Sequence, residues 1–396
     1  MPDPFLEPQG DCHEKRLIIV SLEPMQTHPA RNDSSSPEIS DRIRSLALAI
    51  GFDRVGICSA EPSSETRFLR GWLENGYAAD MEYIGRRVGE REDPALLMPN
   101  VRSIIAVALA YDPPRAGASE ASAARARIAS YVGVEDYHRV MVDRLHALSA
   151  GMGALVPDRI ETRVYVDTGP VLEKVFAARA GLGWQGKNTC LIDRQLGSRM
   201  LLGVILCDRV LEPDAAHADH CGNCRACLEA CPTQAFPEPY VLDARLCISY
   251  TTIENRGPIS EALRESQGTW VFGCDICQDV CPWNRGRSAG DLPDPLGLRE
   301  RLAPDPRWVA AELRWILTLD ETSWRSATQG SALRRSHYRG LIRNALVAAG
   351  NSGDSQLIPL IRAFAGAGDP LLAEHAAWAL ERLGGGDASP ADAGCP

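Results

Sequence analysis

The sequence predicts three successive folding regions: an α/β domain over 38–215, a loop-rich cysteine region over 216–290, and an all-α region of repeated helices over 300–385. Three observations carry this. Helix-like and strand-like hydrophobic patterns intermix between residues 40 and 215, as in an α/β domain. Two cysteine runs, each ending in Cys-Pro, fall between residues 216 and 290. Beyond residue 300 the apolar spacing is helical and two segments resemble one another.

The elements follow in order. Residues 1–37 carry many Pro, Ser, Asn and Asp residues with little periodicity and read as a disordered leader, within which Met25 is an alternative start. A helix is expected from Ser40, with Ile43, Leu46, Ala47 and Ile50 on one face and Gly51 as its stop. FDRVGIC reads as a strand. SIIAVALAY, Ser103 to Tyr111, is a nearly continuous apolar run that suits a strand buried on both faces. RVYVDTGP alternates and stops at Gly169-Pro170. VLEKVFAARAGLG then reads as a helix opened by Pro170, and SRMLLGVIL as another buried strand. In the last region, Leu357, Leu360, Ile361 and Phe364 line one helix, and Leu372, Ala376, Ala379 and Leu380 line the next. Residues 386–396 read as a disordered tail.

The chain has 396 residues, 45% hydrophobic and 24% charged, enough for two or three domains. Its formal net charge of −10 excludes a globally basic nucleic-acid binder but not a local basic surface. No apolar run approaches the roughly 20 residues that span a bilayer, and RLIIVSL is too short for a secretory core. A cytoplasmic monomer is expected. Thirteen cysteines in such a chain favour metal over disulfides.

CGNCRACLEACP, Cys221 to Pro232, has the C-x2-C-x2-C-x3-C-P order of bacterial ferredoxins, whose fourth cysteine serves the other cluster. CDICQDVCP, Cys274 to Pro282, is one cysteine short. With the crossover applied, Cys221, Cys224, Cys227 and Cys281 bind one [4Fe-4S] cluster. Cys231, Cys274 and Cys277 bind the second, and Cys247 in the connecting segment completes it. Structural zinc is the alternative, but it favours paired CxxC knuckles. Cys58, Cys190 and Cys207 lack this spacing and read as plain buried thiols.

Two clusters must feed a reaction. No GxGxxG or Walker loop is present. DYHRV, Asp136 to Val140, opens like the D-x-H-x-x-G cobalamin motif, but Met141 replaces its glycine, so His138 reads as a helix-start residue. Asp167 ends a strand, where open α/β sheets place ligands. Shielded from water, its carboxyl would hold a proton to donate. Capping the helix at Pro170 is the other reading.

VDTGPVLEKVFAARAGLGWQGKNT, GSRMLLG, the two cysteine runs, LDARLCISYTTIE, EREDPALLMPNVRSIIAVALAY and SYVGVEDYHRVM resemble epoxyqueuosine reductase, in order, over residues 40–385. That resemblance implies a cobalamin- and [4Fe-4S]-dependent enzyme. It reduces the epoxide of epoxyqueuosine, at the wobble position of tRNA, to the alkene of queuosine, using cob(I)alamin fed by the clusters. It implies a nitroreductase-like cobalamin domain, HEAT-like helical repeats and an external low-potential electron donor. It makes Asp167 the proton donor. It places cobalamin contacts at Arg91, Val132, Asp167, Leu191, Leu202, Ser249, Cys274 and Asp275, with the leucines acting through backbone, and sets Trp184 to Asn188 along the same pocket.

The substrate end rests on charge. Arg335, Arg339 and Arg343 are four apart in an acid-free stretch, which on a helix makes one basic face for the phosphates of the anticodon stem-loop. Tyr338 or His337 is a candidate for stacking on a base, and Tyr250 to Arg256 for approaching it. A cobalamin-dependent reductive dehalogenase and a non-catalytic ferredoxin-type electron carrier are the competing readings. The dehalogenases use a tyrosine-type donor and a twin-arginine signal, neither of which is evident in this sequence.

Overall fold

The computed structural model describes residues 36–384, apart from 63, 64, 114–123, 157 and 310. The leader, except for its last residues, and the tail lie outside the described residues.

Helix α1 (Ser36–Ala49) starts four residues before the expected Ser40, with Pro37 in its first turn, a position where proline costs no hydrogen bond. Strands β1 (Arg54–Ser59) and β2 (Ser103–Ala110) follow, then helix α2 (Tyr137–Leu155), strand β3 (Thr162–Tyr165), helix α3 (Glu173–Arg179) and strand β4 (Met200–Cys207). The sheet order is β1-β2-β4-β3, and every neighbouring pair is antiparallel. The intermixed pattern suggests strands and helices, but a strand buried on both faces reads alike in either direction.

β2 is buried along its whole length because each face meets a helix layer. Ile105, Val107 and Leu109 pack with Ile43 and Ala47 of α1 and with Met141, Leu145 and Leu148 of α2. Ile104, Ala106 and Ala108 pack on the other side with Phe176 and Ala177 of α3. The result is a three-layer sandwich, each large apolar side chain contributing about 1.5–3 kcal/mol on burial.

Leu298 and Leu302 belong to the α1/α2 side of that core, so the chain returns to the sheet domain before the last helices begin. Helix α4 (Ile248–Ile253) and the short strand β5 (Trp270–Phe272) lie between the cysteine runs. Helices α5 (His337–Ser352), α6 (Ile358–Ala365) and α7 (Pro370–Arg382) form the helical part, and Leu341, Ala345, Ala348, Ile361, Leu372 and Ala376 share its core. That core also takes in Val271 and Phe272 of β5, so the helical part is welded to the cysteine region.

The three parts meet at one end of the sheet. Just before β4, the Ser198 hydroxyl donates to Gln278 Oε1 at 2.8 Å, and Arg199 pairs with Asp279 at 2.7 Å. The second cysteine run is thereby held beside the C-terminal ends of β2 and β3.

Candidate active site

Asp167 follows β3 with a φ of 55°, in the left-handed region that residues with side chains rarely adopt. The Thr168 N–H donates to the Val166 carbonyl at 2.5 Å, closing a three-residue turn around it. Gly169 must be glycine, since a Cβ there would stand 2.3 Å from the Tyr165 ring. The following helix starts at Glu173, not Pro170, and no side chain caps it. Asp167 is therefore not a helix cap. Its carboxylate turns toward the start of α2.

There Asp136 is the cap: its Oδ1 accepts the His138 backbone N–H at 3.0 Å and lies 2.7 Å from the ring Nδ1. The other ring nitrogen, Nε2, is 3.3 Å from Asp167 Oδ2. His138 does open the helix, as its position in the sequence suggests, but its ring also bridges two carboxylates. The ring stacks on Tyr137 at 4.0 Å between centroids.

The protonation pattern follows. Burial disfavours the His138 imidazolium, but the hydrogen bonds and charges of Asp136 and Asp167 outweigh it and hold its pKa at about 9. Burial tends to raise the Asp167 pKa, yet the His138 hydrogen bond and charge bring it below the usual carboxylate value. Near neutrality the proton is on His138, pointed at Asp167. This reverses the raised pKa that shielding alone would give. Asp167 is enclosed by protein on most sides, but its side chain is 68% exposed to an open cleft.

Glu173 and Tyr131, which sequence reasoning passed over, join the cleft alongside Arg91 and Arg335. Burial and the Asp167 charge push Glu173 up to about 8, and its Oε1 has no hydrogen-bond partner. Arg91 offsets part of this charge from the helix Val88–Glu92. Tyr131, partly buried, feels both Asp167 and Asp275 and meets Tyr137 edge-on at 5.8 Å. At the mouth, Arg335 bonds both carboxylate oxygens of Glu254 at 2.9 Å, lies over the Tyr83 ring and acts on Asp167 electrostatically. The readable signal was D-x-H at a helix start, which lets the cap residue also grip the ring.

The expected cobalamin positions divide. Beyond the end of β3, opposite Val204, no strand among the described residues lies beside Leu201–Gly203 on that side, so β4 has an open edge at Leu202 next to Asp167. The Asp275 carboxylate is buried and accepts the Ser130 N–H at 2.6 Å, while the Ser130 hydroxyl is unpartnered. Ser249 lies in the first turn of α4, two residues after Cys247. Leu191 and Val132 are only 4% and 3% exposed, with side chains in hydrophobic cores, so each has only its backbone to offer. An open strand edge, unpartnered Ser130 and Glu173 oxygens and an accessible Asp167 suit a ring bordered by amide groups, so these residues fit cobalamin.

The cysteines gather as two sets. Cys227 feels Cys221, Cys281 and Cys224; Cys274 feels Cys247 and Cys231; Cys277 feels Cys247 and Cys274. Among the described residues no group of three or more His, Cys, Asp or Glu is gathered closely enough to hold a single metal ion. Burial pushes Cys227 up to about 11 and Cys274 up to about 12, so near neutrality both keep their protons unless a bound metal displaces them. Gly273, with φ of 66° and room for no Cβ beside Ala129, turns the chain into Cys274.

The basic face needs correction. Arg335 lies in the turn Ala332–Ser336 before α5 and leans over the cleft. Arg339 is on α5 and pairs with Asp369 at 2.6 Å. Arg343 is 0% exposed and donates to the carbonyls of Thr251, Asn255 and Gly257 at 2.6–2.9 Å. It is therefore not available to a phosphate; it holds the segment after Cys247, because helix α5 is packed on both sides. Tyr338 is also committed, donating its hydroxyl to the Leu319 carbonyl at 2.9 Å.

A proton-bearing cleft beside two sets of four cysteines defines the class: an oxidoreductase that passes electrons through iron–sulfur clusters. Residues 220–284 match the 4Fe-4S double cluster binding domain, and residues 91–168 match the model described as epoxyqueuosine reductase QueG, DUF1730. The chain belongs to the epoxyqueuosine reductase family. Its cofactors are two [4Fe-4S] clusters and cobalamin. It is 38% identical to epoxyqueuosine reductase of Pseudomonas aeruginosa over 91% of this chain and 99% of that one. The Escherichia coli enzyme is 35% identical over 87% and 89%. A crystal structure of epoxyqueuosine reductase with an epoxyqueuosine-modified tRNA-Tyr stem loop shares 28% identity, with a TM-score of 0.79 over 88% of this chain and 90% of that one. The Bacillus subtilis enzyme, with its catalytic aspartate loop swung out of the active site, gives 27% identity and a TM-score of 0.78 over 87% and 90%. No helix among the described residues is long and apolar enough to cross a membrane.

Proposed function

We propose that the chain reduces the epoxide of epoxyqueuosine, at the wobble position of tRNA, to the alkene of queuosine. The observation that carries this is the Asp136–His138–Asp167 chain facing a cleft that borders the Cys274 cluster segment. The family relatives support it. Cobalamin, when bound and reduced, supplies the electrons that open the epoxide. Arg91, Ser249, Asp275 and the backbone at Val132, Leu191 and Leu202 hold it. Cys221, Cys224, Cys227 and Cys281 bind the first cluster, and Cys231, Cys247, Cys274 and Cys277 the second.

Two electrons and two protons carry the epoxide oxygen away as water, and Asp167 hands a proton to that departing oxygen, because oxygen leaves poorly as an anion. His138 supplies that proton to Asp167 across their hydrogen bond, and Asp136 fixes the ring and steadies its charge. The strained turn aims the carboxylate into the cleft. Arg335 and Arg339, opposite their acidic partners, meet the anticodon stem-loop, and the Glu254 pairing sets Arg335 at the cleft mouth. We read the sheet domain as the nitroreductase-like cobalamin domain and α5–α7 as HEAT-like repeats. An external low-potential donor feeds the first cluster, whose Cys224 is exposed. The whole works as a cytoplasmic monomer, consistent with its unremarkable hydropathy and cysteine usage.

The test is anaerobic reconstitution with iron, sulfide and cobalamin, then incubation with epoxyqueuosine-containing tRNA and a strong reductant. Conversion to queuosine is expected. Intact epoxide, with both cofactors bound, rules the reading out.

A further inference from the structure

The first cysteine set lies under an aromatic corner. Trp184 and Ile192, from the paired two-residue strands Trp184–Gln185 and Leu191–Ile192, pack with Cys281, and Cys221 and Trp283 close around them. Trp283 meets Trp184 edge-on at 5.0 Å between ring centroids. The exposed His220 is 5.0 Å from Trp184 and 6.0 Å from Trp283. Cys224 of the same set is itself exposed.

A basic rim surrounds this corner. Arg287 donates to the Trp283 and Gln195 carbonyls, both at 2.7 Å, and Arg54 donates to the Gln195 side chain at 2.7 Å, so the loop at Gln195 is held beside Trp283. Arg194 and Arg285 flank these residues in the chain, are exposed, and have no acidic partner among the described residues. Lys187 Nζ lies over the first run and donates to the Gly222 and Cys224 carbonyls at 2.5 and 2.9 Å. The neighbouring acids are engaged. Asp193 pairs with Arg54 at 3.1 Å, Asp112 accepts from the Ser288 hydroxyl and the Ala289 and Gly290 N–H groups, and Asp219 accepts from the Tyr240 hydroxyl. In a chain of net charge −10, this rim is a local surplus of positive charge.

We propose that this face is where electrons enter: it docks a small acidic carrier protein whose reduced flavin supplies the first cluster. An aromatic centre inside a polar rim has the anatomy of a protein interface. The positive rim fits a negative partner and speeds its encounter. The edge of a flavin ring is itself aromatic and suits the Trp283 and His220 rings. Each step moves one electron, oxidising the flavin by one and reducing the cluster by one, with no bond made or broken. The substrate cleft borders the second set at Cys274–Asp275, so carrier and tRNA each meet a different cysteine set.

The inference deepens the external-donor reading above and rests on the cluster assignment. It is tested without turnover, on chain reconstituted with iron and sulfide and mixed anaerobically with fully reduced flavodoxin, an acidic flavin protein. Bleaching of the cluster absorbance gives the rate, which is expected to fall as salt is added. The double variant Arg194→Glu, Arg285→Glu should be reduced roughly tenfold to a hundredfold more slowly at low salt, and the difference should shrink at high salt. Reduced methyl viologen, a small cation that needs no docking face, should reduce the variant at least as fast as the unaltered chain. The epoxyqueuosine-bearing stem-loop should bind both equally. Reduction of the unaltered chain that ignores salt, or a variant reduced by flavodoxin at the unaltered rate, overturns the proposal. So does a variant that is slowed with methyl viologen too, since its clusters rather than its docking would then be at fault. Weaker stem-loop binding by the variant would make the face a nucleic-acid surface instead. An unaltered chain that takes up fewer than two clusters refutes the cluster assignment itself.

Discussion

The cysteine segment and the Asp167 cleft touch at Cys274–Asp275, yet they are put together in opposite ways. All but one of the cysteines in the two sets come from two short runs, and local spacing already decides which can share a cluster. The cleft draws on residues near 83–91, 131–138, 167–173, 254 and 335, and its protonation exists only once these meet. A cluster site is therefore a local property that a single cysteine can abolish. The proton-transfer site is distributed, so single changes there should grade its output. The predictions below press on that contrast.

The largest effect is expected from Cys247→Ala, the one proposed ligand outside the runs. It should lose the second cluster and all turnover while keeping the first, read by iron content and visible absorbance. Retention of both clusters would mean that another thiol completes the set.

In the cleft, His138→Gln should keep both cofactors and slow single-turnover epoxide loss, on the order of tenfold to a hundredfold, as loss of a positioning partner does. The pH profile gives a second check. A group with a raised pKa holds its proton below that value and loses it above, so the wild-type rate should fall as pH rises past about 9. The drop should be about tenfold per unit, and His138→Gln should lack it. A wild-type rate that stays flat to higher pH would separate His138 from the chemistry.

α5 carries the contrast within one helix. Arg343→Ala takes the donor from three carbonyls, two of them buried at about 1–3 kcal/mol each, so denaturant unfolding should show a clear loss of stability. Arg339→Ala should barely change stability but reduce the salt dependence of tRNA binding by about one unit of slope. Equal effects from the two would put both arginines in the same role.

The same contrast explains what could be read in advance. The buried strand Ser103–Ala110 and the approach of Cys281 to Cys221 and Cys224 follow from local pattern, one hydrophobic and one chemical. Strand direction did not, because burial on both faces erases the alternation that would reveal it. His138 looked like a helix-start residue since its second carboxylate comes from 29 positions away. Arg343 looked solvated because spacing along a helix says nothing about what packs against its far side; here α4 and its following loop do.

The central claim is that Asp167 delivers the proton, and Asp167→Asn tests it most directly. The amide is close in size to the carboxylate but cannot pass a proton on. Loaded with both clusters and cobalamin and given epoxyqueuosine-containing tRNA, this variant should bind its cofactors and tRNA normally. Its single-turnover epoxide loss should fall by roughly 10²–10⁴-fold. A rate equal to that of the unaltered chain would contradict the account.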